Sequence, residues 1–141
     1  KTALILGVAN RRSIAWACAK SFLERDYRVV FTYQNERFAK TAHDLITAEA
    51  PFAHAVPCNV ENELPSLFQE RLPDLLGEDV QLDVIVHAVA YASPDAMKEG
   101  SLLTTSRQSF LQAHDISAYS FLETAQCALP LMGEGSSLTA L

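Results

Sequence analysis

"LILGVANRRSIAW", residues Leu4 to Trp16, decides how the rest of the chain is read. An apolar run enters it and Gly7 closes that run. Ser13 stands just before an apolar stripe at helical spacing (Ile14, Ala15, Ala17, Cys18, Phe22, Leu23), so strand, loop and N-capped helix follow one another. A dinucleotide-binding turn has this order, but ordinarily carries two further glycines before its helix.

A longer loop can divide the work of those glycines. Gly7 can take a conformation closed to other residues. Ala9 is small enough for a ligand to pass, and Ser13 offers a hydroxyl beside the first free N–H groups of a helix, whose partial positive charge attracts a diphosphate. The loop alone fits an ordinary strand-to-helix connection equally well.

Working outward, Thr2–Leu6 reads as a strand buried on both faces, Arg28–Tyr33 as a second strand, and Arg37–Glu49 as a second helix closed by Pro51. A third strand is expected over Ala53–Cys58 and a helix over Glu61–Leu76, with Pro65 tolerable in its first turn and Pro73 ending or bending it. Asp83–Ala88 is a fourth strand and Val89–Thr105 a polar loop. Ser106 starts a long helix to about Met132, with Phe110, Ala113, Ser117, Phe121, Leu122, Ala125 and Leu129 as its inner stripe; after a turn, Ser136–Leu141 is a fifth strand. This alternation predicts an α/β, doubly wound parallel sheet of Rossmann type in a single domain over residues 1–141. The chain starts without methionine and stops inside a strand, so a continuation is expected and the fold is read as incomplete at its C-terminus.

The chain has 141 residues, 49% hydrophobic and 20% charged, which suits a folded domain and not a disordered one. A formal charge of −6 argues against nucleic acid or an anionic membrane as partner, since Arg11 and Arg12 are the only dense basic spot. No apolar run is long enough to span a bilayer and no leader is recognisable, so a cytoplasmic protein is expected. Three scattered cysteines without a C-x-x-C pair suggest neither a metal cage nor a disulfide framework. His87 is expected to be a satisfied core histidine and Trp16 core. His114 and Asp115, neighbours on a helix, diverge and do not make a coupled acid–base pair.

Three other segments fall at strand ends, where such a sheet binds ligand: "FTYQ" (31–34), "CNV" (58–60) and "HAVAYA" (87–92). These favour a dinucleotide site over a bare connection.

Together, "GVANRRSIAWACAK", "FTYQNERF", "CNV", "VHAVAYA" and "AHDISAYSF" resemble the bacterial and plastid type of NADH-dependent enoyl-acyl-carrier-protein reductase, a divergent branch of the short-chain dehydrogenase/reductase superfamily. The resemblance runs nearly the whole chain in order. It implies that Gly7, Ser13 and Ile14 hold the pyrophosphate side, Gln34 lies near the adenosine ribose, Asn59 and Val60 flank the adenine, Val89 contacts the ribose toward the nicotinamide, and Ala92 borders the acyl pocket. Asn59 replaces the family's usual Asp and Ala90 its usual Gly, which alters adenine recognition and narrows the space near the nicotinamide. NADH is favoured over NADPH, because neutral Gln34 and acidic Glu36 do not suit a 2'-phosphate, although Arg37 and Lys40 lie near.

The resemblance further implies reduction of a trans-2-enoyl thioester on acyl carrier protein during fatty acid elongation, by a homo-oligomer, a tetramer in this family, in the cytoplasm or a plastid stroma. Tyr119 or Phe121 would face a partner subunit. The family's Tyr-x6-Lys pair is expected beyond Leu141, so no catalytic residue is assigned within the chain and these residues alone are expected to be inactive. Two other readings stay open: a nucleotide-binding or regulatory module without chemistry, and a short-chain dehydrogenase acting on an alcohol or ketone.

Overall fold

Alternating buried runs and capped helices build one five-stranded sheet in the computed structural model, which describes residues 1–98 and 100–141. The strands are β1 (Thr2–Leu6), β2 (Arg28–Tyr33), β3 (His54–Pro57), β4 (Val84–His87) and β5 (Ser137–Ala140), in spatial order 3-2-1-4-5. All four pairings are parallel; β1 sits at the centre, with Ile5 beside Phe31 on one flank and Val86 on the other. The expected doubly wound, Rossmann-type α/β sheet is therefore present.

Side chains on β1 alternate between two cores, as the strand period requires. Ala3 and Ile5 join Val29, Phe31 and Val86 under α1 (Ile14–Leu23) and α2 (Glu36–Glu49), where Ala15, Trp16, Ala19, Ala42 and Leu45 pack down. Leu4 and Leu6 face the other way, with Val30 and Ile85, under Leu64, Leu67, Phe68 and Leu72. Trp16 is core, edge-on to Phe31 at 5.5 Å.

The helical segments differ from expectation in instructive ways. The helix expected from Glu61 begins at Leu64, because residues 59–63 form a turn held by hydrogen bonds from Asn62 N and Glu63 N to Asn59 O. It then runs as α3 (Leu64–Ser66), a π-helical turn (Leu67–Arg71) and α4 (Leu72–Leu76). Pro73 does not end it there. Leu72 N–H reaches back five residues to Leu67 O, and this wider turn just before the proline gives room for a ring that would otherwise strike the preceding turn.

The long helix is α5 (Arg107–His114), a second π-turn (Asp115–Tyr119), α6 (Ser120–Ala128) and a closing 3-10 turn (Leu129–Leu131). Ser106 caps it as expected, accepting from Ser109 N. Its expected inner stripe holds only in part: Ala113, Ser117, Phe121 and Ala125 are half-buried, with Phe121 edge-on to His87, but Phe110, Leu122 and Leu129 are more than half exposed, and the fully buried line is Ile116, Ser120, Thr124 and Ala128. Hydroxyls on that line are satisfied by carbonyls one turn back, Ser120 to Ile116 O and Thr124 to Ser120 O, so they bury without penalty and displace the larger apolar residues outward.

Smaller differences concern edges. β3 is shorter than Ala53–Cys58, and Pro57 can end it because β3 is an edge strand. The segment read as polar loop contains two 3-10 turns, Pro94–Met97 and Ser101–Thr104; Glu99 within it lies outside the described residues. β5 spans Ser137–Ala140, inside the expected Ser136–Leu141. Among the described residues no helix is long and apolar enough to cross a membrane, and no group of His, Cys, Asp and Glu could hold a metal ion.

Candidate dinucleotide site

The connections leaving β1 and β4 part company at the carboxyl end of the sheet, and a cleft opens there. Gly7 has φ +97°, a region that side chains avoid. A Cβ there would also collide with the Ala88 carbonyl and come within 3.0 Å of Val89 Cγ2, so the first loop can cross the exit of β4 only with glycine at this position. Thr32 anchors the same turn from β2: its Oγ1 accepts from Gly7 N at 3.3 Å and its carbonyl from Val8 N at 2.8 Å.

Beyond Gly7 the loop fastens itself. Asn10 Oδ1 accepts from Arg12 N at 2.8 Å, and Asn10 O accepts from Ser13 N at 3.0 Å and from the Ser13 hydroxyl at 2.7 Å. Ser13 Oγ in turn accepts from Trp16 N at 3.3 Å, the cap expected of it. Its single hydrogen is thus committed to Asn10, leaving the amides of the first turn, at Ile14 and Ala15, as donors to an anion. No acidic residue stands in that first turn to compete. Arg11 turns away to an ion pair with Glu49 at the end of α2, and Lys20 approaches the same carboxylate at 3.6 Å.

The cleft is lined by Gly7, Val8 and Ala9; by Thr32, Gln34 and Phe38; by Cys58, Asn59 and Val60; and by Ala88, Val89, Ala90, Tyr91 and Ile116. Its volume, about 140 Å³, is smaller than pockets that swallow a whole drug-sized ligand, so an extended dinucleotide would seat one portion there and lie along the strand ends. Of the residues expected at the site, Gly7, Gln34, Asn59, Val60 and Val89 come together in this lining. Ser13 and Ile14 stand outside it at the start of α1, with Ile14 66% exposed. Ala92 lies just past Tyr91, half-buried and also outside. Thr32 falls within the strand-end stretch 31–34 but was not singled out, and Phe38 and Ile116 were not expected, since each reads from sequence as an ordinary helix core position.

Two walls flank the opening. On the β3 side, Asn59 Oδ1 accepts from Glu61 N at 3.2 Å while its own N–H is held by Glu63 Oε2 at 2.6 Å. Arg71 bonds the Pro57 carbonyl and pairs with Glu63 Oε1 at 3.2 Å. Asn59's hydrogen bond and the Arg71 guanidinium hold the Glu63 carboxyl below its usual range, and burial pushes the Cys58 thiol up to about 12, so that thiol stays protonated and unreactive. On the β4 side, Tyr91 N donates to Ser117 Oγ at 3.0 Å and the same hydroxyl contacts Tyr91 O at 3.3 Å. His87 is buried, its Nε2 2.7 Å from Ser120 Oγ, and burial lowers its pKa; it is the satisfied core histidine anticipated above. His114 and Asp115 are both exposed, the former contacting Phe110, and they form no joint site.

Known proteins bear on this geometry. Residues 7–141 match the profile of the family described as Enoyl-(Acyl carrier protein) reductase. The chain is 37% identical over 144 residues to enoyl-acyl-carrier-protein reductase (NADH) FabI of Bacillus subtilis, covering 98% of this chain and 53% of that protein. It is equally 37% identical to the enzyme named enoyl-acyl-carrier-protein reductase (NADPH) FabI in Staphylococcus aureus, over 99% of this chain and 54% of that one. Among solved structures, the Aquifex aeolicus enoyl-acyl-carrier-protein reductase (NADH) superposes with TM-score 0.87 at 36% identity, over 99% of this chain and 54% of the other. The Anaplasma phagocytophilum enzyme, solved in complex with NAD, gives TM-score 0.87 at 35% identity, over 99% and 52%. The chain thus spans about half the length of the curated relatives it matches. With the family profile matched over residues 7–141 and the fold superposing on solved members of it, the chain belongs to the enoyl-(acyl carrier protein) reductase family.

Proposed function

We propose that the protein uses NADH to reduce trans-2-enoyl groups carried on acyl carrier protein in fatty acid elongation, and that residues 1–141 form a dinucleotide-binding unit supplying most of the cofactor half. The observation that carries this reading is the cleft in which Gly7, Thr32, Gln34, Asn59, Val60 and Val89 converge beside the open start of α1. When bound, the nicotinamide supplies a hydride. The first-turn amides at Ile14 and Ala15 and the backbone at Gly7 receive the diphosphate, with Ser13 holding that helix start in place as its cap. Gln34 faces the adenosine ribose, Asn59 and Val60 border the adenine, and Val89 lies toward the nicotinamide ribose. Ala92, just outside the lining, borders the acyl chain. No residue of the chain is given a proton-transfer role.

NADH is preferred because Glu36 lies at the ribose end, where its charge helps raise the pKa of Tyr33 and would repel a 2'-phosphate. One observation supports NADPH as the second reading: the Arg37 guanidinium sits 5.9 Å from the ring centroid of Phe38, a cleft residue, within reach of the same region. A homo-oligomer, tetrameric as in the resemblance, is supported by Phe110, Tyr119 and Leu122, each at least half exposed along one helix. We place the protein in the cytoplasm.

The test is titration of the purified protein with NADH and NADPH, followed by backbone amide shifts. Shifts at residues 7, 14, 32, 59 and 89, with tighter binding of NADH, are expected. An undisturbed cleft overturns the reading. NADH oxidation with a trans-2-enoyl thioester, assayed at the protein's native length, tests the reaction itself.

A further inference from the structure

Neither Glu63 nor Arg71 lines the cleft, yet both hold the wall that does. The contacts run in a closed circuit: Pro57 O accepts from Arg71, Arg71 pairs with Glu63 at 3.2 Å, and Glu63 accepts from Asn59 N at 2.6 Å. Cys58 is enclosed between the two fastened backbone groups. Arg71 is the last residue of the π-turn Leu67–Arg71 and reaches from there to the end of β3.

Magnitude shows what such a circuit is for. The two side chains are 31% and 36% exposed, and ion pairs that wet contribute little to folding. The turn 59–63 is already closed by three other hydrogen bonds, from Glu61 N, Asn62 N and Glu63 N to Asn59. What the circuit adds is orientation: with the backbone of 57–59 held from behind, Asn59 and Val60 are presented to the cleft in one arrangement, and a bound group meets a preorganised edge.

The geometry points to Glu63 and Arg71 as positioning residues for the cleft, a charged brace that fixes the wall against which the adenine end of the dinucleotide packs. This rests on the dinucleotide reading proposed above. The brace acts at one end of the ligand only, so its loss is felt by ligands that occupy that end.

The experiment uses the protein at its native length, with ADP-ribose and nicotinamide mononucleotide each competed against NADH fluorescence, in the unsubstituted protein and in Glu63→Ala, Glu63→Gln and Arg71→Met. Glutamine keeps an acceptor for Asn59 N–H and loses only the charge. ADP-ribose binding is expected to weaken about tenfold in Glu63→Ala and about threefold in Glu63→Gln and Arg71→Met, with the mononucleotide unchanged. Thermal unfolding of the same variants separates orientation from stability. Unchanged ADP-ribose binding in all three variants, or equal weakening of both ligands together with a lowered melting temperature, overturns the brace. If the unsubstituted protein binds neither ligand, the dinucleotide reading falls, and the brace with it.

Discussion

The two walls of the cleft are fastened by the same kind of device and by opposite chemistry. Each is backed by a helix containing a π-turn, Leu67–Arg71 behind β3 and Asp115–Tyr119 behind β4, and each helix sends one polar side chain to the backbone of its wall, Arg71 to Pro57 O and Ser117 to Tyr91. At the β3 wall, near solvent, the ties are ions: Glu63 and Arg71. At the β4 wall they are neutral: Ser117 on Tyr91, half-buried, and Ser120 against His87, fully inside. For Ser120 and His87 burial accounts for the choice, since charges taken fully out of water cost more than their attraction returns, whereas a hydroxyl and a neutral imidazole can be satisfied locally. The interior wall therefore matters more for folding and the rim wall more for placing a ligand.

The largest effect is expected where the first loop presses on the interior wall. Gly7→Val, which meets both an unfavourable backbone region and the Ala88 carbonyl, should cost about 4 kcal/mol in chemical denaturation. His87→Ala should follow at about 3 kcal/mol, chiefly from lost volume, with the Ser120 oxygen also losing the donor it accepts from. Ser120→Ala, which leaves the His87 ring short of a partner, should cost about 1.5 kcal/mol by the same measurement. At the rim, Arg71→Met should cost only about 0.5–1 kcal/mol and show the strongest salt dependence of the set. A rim variant more destabilising than His87→Ala would reverse the comparison.

Acid sharpens the contrast by its order of action. His87 has a lowered pKa in the fold, so the unfolded chain binds the proton more readily, and stability from this group is complete above about pH 6.5 and declines as pH falls below it. Glu63 is also held low, but its contribution is complete above the ordinary carboxyl value near 4.5 and is lost only under stronger acid. Denaturation midpoints should therefore begin to drop between pH 6.5 and 5, and that early drop should vanish in His87→Gln.

Sequence periodicity made the sheet readable because burial on β1, β2 and β4 is dictated by local alternation and long apolar runs. The cap at Ser13 was equally local. The inner face of the long helix was readable only in part: Ser117 and Phe121 do turn inward, but the fully buried line runs through Ser120 and Thr124, whose hydroxyls are satisfied by carbonyls one turn back, so the hydrophobic pattern is rotated off the true face. Both π-turns add one residue to a helical turn and shift the phase of whatever follows, and no single residue announces them. At the site, strand ends alone pointed to the segments 31–34, 58–60 and 87–92, and the family resemblance picked out Gln34, Asn59, Val60 and Val89 within them. Phe38 and Ile116 could not be found in this way, because a cleft residue and a core residue look alike on an amphipathic helix. The brace of Glu63 and Arg71 depends on residues eight apart meeting across a π-turn, which spacing rules for regular helices do not anticipate.

The contact between Gly7 and the Ala88 carbonyl also has a bearing on how this architecture can be altered by descent or by engineering. The opening loop and the exit of the fourth strand occupy one shared volume, so they are heritable as a pair. A graft carrying residues 7–13 into another sheet without residues 88–89 would import half of a joint, and drift at either member should leave its trace in the other.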